Sequence, residues 1–341
     1  MKEVRVALIG YGGIGHAHAN GYAILEKQEA PVRLVAALDI NPKKFSDAVE
    51  INTGTGAAGL PSGARAYTSL DTLLANEEFD MVDICLPTYL HKEYAIRFLK
   101  MGKHVLSEKP MALSYADCCE MLAAAKESGC RLMIGQCLRF NAIYEYLKAC
   151  CDDGRYGKLR RLMMRRLSLM PDWGFENWFA DASRSGGCLL DMHIHDVDMA
   201  RYLLGEPKAC SCFSMNAGVL DDQVQHSHLF YDGADVLIDG SWDEVKGSPF
   251  TSGYRARFER AEVVVEQYGA TVTVYEEGKA PFTPEITPVN HMAAEIAFLA
   301  DLILNPDAVN TKNPPESAAA TVRLIERLRE SARNGAEKIT L

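Results

Sequence analysis

What this 341-residue sequence lacks already excludes several classes of protein. Positive charge is not in excess: 36 Lys and Arg stand against 46 Asp and Glu, a formal net charge of −10. A chain of that sign gains nothing from a phosphate backbone, so nucleic acid is not an expected partner. No uninterrupted apolar run reaches the ~20 residues of a membrane helix, so no membrane span is expected. None of the ten cysteines forms a CxxC pair. Zinc knuckles and dithiol motifs are therefore not indicated, and reduced thiols in a reducing cytoplasm are the expectation. Met1 to Ile9 shows no basic start followed by an apolar h-region, so no secretory signal is expected. There is no internal repeat and no low-complexity tail. What remains is a chain that is 48% hydrophobic and 24% charged, ordinary for a globular enzyme of two domains.

Up to about Gly135 the pattern alternates. Val4 to Ile9 is a β-rich run and Gly13 to Lys27 a helix pattern. Arg33 to Leu38 and Met81 to Leu86 are apolar runs. His91 to Met101 is helical and ends at Gly102. His104 to Leu106 is a strand, Ser114 caps a helix that Gly129 closes, and Arg131 to Ile134 is a further strand. Such alternation predicts an α/β fold with a doubly wound parallel sheet. Beyond that point the rhythm changes. A helix at Ala142 to Cys150 precedes a strand at Leu159 to Leu169 and one long helix at Gly187 to Leu204. Six short strand patterns follow between Ala209 and Tyr275, and helices at Asn290 to Leu304 and Pro315 to Asn334 close the chain. Consecutive strands with short turns predict an open, mostly antiparallel sheet in an α+β domain. The division expected is 1–136 and 137–341. Gly54 to Gly63 reads as a surface loop without chemistry.

Gly10-Tyr11-Gly12-Gly13-Ile14-Gly15 follows the first strand and opens the first helix. In a dinucleotide site Gly10 permits the tight turn, Gly12 admits a pyrophosphate close to the backbone, and Gly15 lets helix and strand pack. Gly13 and Ile14 begin the helix, whose free N–H groups and positive dipole end suit a phosphate. Asp39, at the end of the second strand, can accept the adenosine ribose hydroxyls and repel a 2′-phosphate, so NAD is expected over NADP. Its other reading is a turn residue before Pro42.

Two further segments carry chemistry: Gly102-Lys103-His104-Val105-Leu106-Ser107-Glu108-Lys109-Pro110, and the Gly186 to Asp196 stretch that holds Gly186-Gly187, Asp191 and His195. With the glycine fingerprint, with Pro87-Thr88 and His91, and with Arg139-Phe140-Asn141, the chain resembles the glucose–fructose oxidoreductase/inositol dehydrogenase (Gfo/Idh/MocA) family over its whole length. The resemblance implies an N-terminal Rossmann domain and a C-terminal domain for substrate binding and association into a homodimer or homotetramer through its sheet. It implies Lys109, Asp191 and His195 as the catalytic set, and Leu86, Thr88, His91 and Glu108 near the cofactor.

Physical chemistry is compatible with those roles. A lysine at the C-terminal end of a sheet strand lies where ligands bind, and its ammonium can stabilise an alkoxide. A histidine can take the hydroxyl proton as hydride leaves the same carbon. Asp191 and His195, four apart on one helix, share a face. Arg139, Trp178 and His193 are candidate substrate contacts, with core roles as the competing reading. His18 is read as packing near the first helix. Arg160, Arg161, Arg165 and Arg166 divide between the two faces of a strand, with a solvated face as the default reading, and no metal is expected. The function implied is NAD-dependent oxidation of a secondary alcohol on a sugar, cyclitol or polyol. A glycosidase that retains and recycles NAD and a dinucleotide-sensing regulator are the alternatives.

Overall fold

The computed structural model describes residues 2–47, 49–51, 54–56, 59–215 and 222–341. Along the chain come β1 (Val4–Ile9), α1 (Gly13–Lys27), β2 (Val32–Leu38), β3 (Val49–Ile51), β4 (Gly54–Gly56), β5 (Arg65–Tyr67) and α2 (Leu70–Asn76). Then come β6 (Met81–Ile84), α3 (Thr88–Lys100), β7 (His104–Glu108), α4 (Tyr115–Ser128) and β8 (Leu132–Gly135). Next are α5 (Ala142–Asp153), β9 (Leu159–Leu167), α6 (Ala182–Ser185), α7 (Gly187–Asp191), α8 (Ile194–Leu204) and β10 (Ala209–Met215). The strands β11 (Val224–Tyr231), β12 (Ala234–Ser241), β13 (Thr251–Phe258), β14 (Ala261–Val265) and β15 (Thr273–Glu276) follow. The last elements are α9 (His291–Leu304), α10 (Pro315–Arg333) and β16 (Ile339–Thr340). Two compact units result: Met1–Phe140 with Val289–Ala319, and Asn141–Pro288 with Ala320–Leu341. The chain passes from the first unit to the second after Phe140 and returns to the first over Val289–Ala319.

The first unit holds a six-stranded parallel sheet in the order β5-β2-β1-β6-β7-β8. Chain order reverses between β1 and β6, which makes the C-terminal ends of these strands the switch point where ligands bind in open α/β sheets. The strands are nearly continuous apolar runs because helices cover both faces. Leu8, Leu34, Met81, Leu106 and Met133 form one core with Tyr22 and Leu25 of α1 and Ile296 and Leu299 of α9. In α9 the buried residues Met292, Ile296, Leu299 and Ile303 recur at helical spacing. The predicted caps of α4 are present: Ser114 Oγ accepts from the Asp117 N–H at 3.1 Å, and Gly129 has φ 68°. The glycine-rich stretch expected as a loop begins instead as β4, paired antiparallel with β3. Residues 57 and 58 of that stretch lie outside the described residues.

The second unit holds an eight-stranded sheet in the order β15-β14-β13-β9-β12-β11-β10-β16. Every pairing is antiparallel except β9 with β12. On β9 the buried Leu162, Met164 and Arg166 alternate with the exposed Arg161, Met163 and Arg165. Arg166 thus departs from the expected solvated face. Its guanidinium makes a buried two-point contact with Asp196, 3.0 Å from each carboxylate oxygen. The single helix expected over Gly187 to Leu204 is also broken. α7 stops at Asp191, and α8 starts at Ile194. At the break the N–H groups of Met192 and His193 both donate to the Cys188 carbonyl, at 3.0 and 2.9 Å. That shared acceptor inserts a residue into the ladder and interrupts the four-residue register. Asp191 and His195 therefore do not share the face of one continuous helix.

Candidate active site

The fingerprint glycines differ in why they must be glycine. Gly10 has φ 97°, and a Cβ there would lie 2.5 Å from the Cys85 carbonyl oxygen. At Gly15 a Cβ would overlap the Gly10 carbonyl oxygen. Both are required by the fold itself. Gly12 is not: its φ of −79° and ψ of −163° suit any residue, and a Cβ would meet nothing within 4 Å. Gly13 and Ile14 open α1 directly after it. Asp39 lies beside this turn. Its Oδ2 accepts from the Tyr11 N–H at 2.8 Å and its Oδ1 from the Asn41 N–H at 2.8 Å. Each oxygen keeps a second lone pair.

Across the switch point, Leu86 and Thr88 follow β6. The Thr88 hydroxyl is buried and has no hydrogen-bond partner among the described residues. His91 spans two carbonyls, Pro110 at Nδ1 and Leu86 at Nε2, both at 2.8 Å. It ties the loop after β6 to the loop after β7. Burial pushes its proton affinity below the ordinary histidine range. Glu108 closes β7, and Lys109 follows, joined to Pro110 by a cis peptide bond. Glu108 Oε2 accepts from the Lys109 backbone N–H at 3.1 Å.

Behind this strand end lies a group of side chains that the sequence reading did not assemble. His18 is wholly buried on α1. Its Nδ1 sits 2.8 Å from Asp83 Oδ2 and its Nε2 sits 3.0 Å from Glu108 Oε1. Tyr22 donates to Asp83 at 2.9 Å, and Glu295 of α9 approaches His18 Nε2 at 3.9 Å. Burial by itself favours the neutral ring at His18, but the Asp83 carboxylate outweighs it and lifts the proton affinity well above the ordinary range. Burial likewise opposes a charge on Glu108, but His18 and then Lys109 hold that carboxyl below its usual range. The usable signal was Asp83 itself: a carboxylate in a strand buried on both faces requires partners.

The remaining expected residues divide by role. Arg139 is buried and donates to the Lys312 carbonyl at 3.0 Å and to Ser317 Oγ at 2.8 Å. It pins a distant segment of its own unit. In the second unit, Trp178 stacks on Phe179 with ring centres 3.9 Å apart. His193 is wholly buried, with Nε2 2.8 Å from Ser227 Oγ. Burial, reinforced by Arg166, lowers it to about 3. Asp191 ends α7, and His195 stands in the first turn of α8. Lys109 thus belongs to the first unit, and Asp191 and His195 to the second. No disulfide joins any of the ten cysteines, and no described helix is long and apolar enough to cross a membrane.

Comparison with known proteins adds to this geometry. Residues 4–136 match the GFO/IDH/MocA oxidoreductase family with its NAD-binding Rossmann fold, and residues 144–268 match the GFO/IDH/MocA C-terminal domain. The chain is 31% identical over 287 residues to an inositol 2-dehydrogenase of Rhizobium meliloti, covering 83% of this chain and 78% of that protein. It is 35% identical over 205 residues to a 2,7-anhydro-N-acetylneuraminate hydratase of Mediterraneibacter gnavus; that match covers 60% of this chain and 50% of that protein. The crystal structure of an aldose-aldose oxidoreductase from Caulobacter crescentus, complexed with glycerol, superposes with a TM-score of 0.82 at 25% identity, covering 99% and 100% of the two chains.

Proposed function

The chain belongs to the GFO/IDH/MocA oxidoreductase family, and on that premise we propose that it oxidises a secondary hydroxyl of a sugar, cyclitol or related polyol with NAD. The observation that carries the reading is Gly12. Its backbone is ordinary and its Cβ would meet open space, so the protein does not need glycine there. A phosphate approaching the start of α1 does. The partnerless Thr88 hydroxyl across the switch point offers a further polar contact. Bound NAD supplies the hydride acceptor. Asp39 uses its remaining lone pairs on the ribose hydroxyls. Its charge would repel a 2′-phosphate; at a separation of about 4 Å such a repulsion is worth roughly 4 kcal/mol, about a thousandfold in favour of NAD. Paired Kd values for NAD and NADP in the protein and in Asp39→Ala test this, and equal values in both proteins remove the preference.

Lys109 hydrogen-bonds the reacting hydroxyl and stabilises the developing alkoxide. His195 takes the proton, and Asp191 orients the imidazole or holds a second hydroxyl. Leu86, His91 and Glu108 build the wall on which Lys109 is mounted. Lys109→Ala and His195→Ala are each expected to lower turnover at least a hundredfold, with NAD affinity retained. Absorbance of NADH across a polyol panel beginning with myo-inositol measures this, and wild-type rates in both variants refute the assignment.

The match to a hydratase favours a second reading, in which NAD stays bound and no net NADH appears. It predicts NAD carried through purification and product formed without absorbance change. We also assign the exposed sheet face of the second unit to association with another copy. Met163 and Leu237, paired across β9 and β12, stand 40% and 37% exposed there. Light scattering of the protein and of Leu237→Asp decides it, a monomer in both cases removing the assignment.

A further inference from the structure

We propose that His18 is a positioning residue for Lys109: a buried imidazolium, shared with Asp83, that offsets part of the Glu108 charge, so that Glu108 holds the Lys109 backbone while drawing a proton onto its amine less strongly. The inference rests on the reading of Lys109 as the residue that meets the reacting hydroxyl.

The geometry sets the protonation. A neutral imidazole has one N–H, yet both ring nitrogens of His18 face carboxylate oxygens, at 2.8 and 3.0 Å. Asp83 also accepts from the Tyr22 hydroxyl at 2.9 Å and from the Cys85 thiol at 3.7 Å, so it is an acceptor throughout. Glu108 Oε2 accepts from the Lys109 N–H, and because His18 and Lys109 hold this carboxyl below its usual range, the Oε1 that faces His18 Nε2 is an acceptor as well. Two carboxylates that only accept require a ring that donates twice. The third acid, Glu295, has no hydrogen-bond partner at either oxygen among the described residues and is wholly buried. Burial raises it well above the usual carboxyl range, so it stands neutral. His291, one turn earlier on α9, is pushed down by burial and by His18, and His91 on α3 by burial. The cluster therefore holds Asp83 and Glu108 negative, with His18 positive between them.

This balance bears on Lys109 because Glu108 is its chain neighbour and interacts with its charge. Each interaction is reciprocal: whatever Lys109 does to Glu108, Glu108 does to Lys109. With His18 in place, the carboxylate is partly offset from behind by a cation that it shares with Asp83. Without it, Lys109 becomes the main cation holding the Glu108 carboxylate against burial, and by reciprocity that pairing favours the protonated amine.

Competitive lysine acylation followed by mass spectrometry reads the free-amine fraction directly and needs no substrate. With the exposed Lys279 as internal reference, His18→Gln is expected to slow labelling of Lys109 about tenfold at constant pH. Adding Glu108→Gln in that background restores the wild-type rate. A merely structural histidine predicts the reverse, because a loosened loop labels faster or at an unchanged rate, and either result overturns the proposal. Should His18→Gln fail to fold, Glu108→Gln alone must speed Lys109 labelling. In the wild-type protein, ¹⁵N spectra of the ring must show both His18 nitrogens protonated at pH 8, and a neutral ring there also overturns it. If labelling shifts as expected while Lys109→Ala still oxidises polyols at the wild-type rate, the proposed function fails and the role of His18 stands.

Discussion

His18 in the first unit and His193 in the second are both wholly buried, yet their surroundings push them to opposite charge. His18 has a carboxylate at each ring nitrogen and is raised well above the ordinary histidine range. His193 has a serine hydroxyl at Nε2, and burial, followed by Arg166, lowers it to about 3. The Arg166 guanidinium is itself paired with Asp196. Burial penalises the ion at both sites. The difference is the neighbouring charge, which outweighs that penalty only in the first unit. One histidine is thereby fitted to hold charge behind a strand end, the other to pack a helix break against a sheet.

The contrast can be broken most severely at Asp83. Asp83→Ala leaves His18 with one carboxylate and Tyr22 without an acceptor, and is expected to cost about 3–5 kcal/mol, read by urea unfolding. A loss under about 1 kcal/mol means the imidazolium does not depend on this pair.

The second effect is in pH, with one sign for Glu295 and His18 and the opposite sign for His193. Glu295 keeps a proton in the folded protein that the unfolded chain releases above the ordinary carboxyl range. Its stabilisation is complete below about pH 4 and declines as pH rises, by about 1.4 kcal/mol per unit until the folded group itself titrates. His18, being raised, adds a decline of the same sign above about pH 6.5. His193 works the other way. It remains neutral in the folded protein down to about 3, while the unfolded chain gains a proton below about 6.5, so stability is lost as pH falls through that window. Glu295→Gln should flatten the decline at rising pH, and His193→Asn the loss at falling pH. Unchanged slopes in thermal unfolding from pH 4 to 8 contradict these assignments.

The smallest effects come from glycines. A Cβ at Gly240 would stand 2.5 Å from His193 Nδ1, so Gly240→Ala is expected to cost about 1–3 kcal/mol. Gly12→Ala meets no neighbour and should leave unfolding within about 0.5 kcal/mol while weakening NAD, measured by titration calorimetry. Equal loss of stability in both variants would show that Gly12 serves the fold and not a ligand.

Much of the fold was legible along the chain. The β1–turn–α1 fingerprint, the caps of α4 and most strand and helix positions follow from neighbouring residues. The break between α7 and α8 was not legible, because apolar spacing continues through Met192 while His193 turns to Ser227, 34 positions away. For Arg139 and Trp178 neighbouring residues leave a substrate contact and a core role both open; the fold shows Arg139 donating to Ser317 and Trp178 stacked on Phe179. Arg166 looked like its solvated neighbours until β9 turned it to the buried face.

The sequence by itself determined the strand rhythm, the glycine turn and the family, since each is written in residues close together or in motifs that stand in order. Only tertiary structure decided the charges of the buried histidines. His18 meets Asp83 and Glu108 from 65 and 90 positions away, whereas His193 meets a hydroxyl. The proton on a buried ring is decided by what faces it across a low-dielectric interior, and that is a property of the folded chain alone.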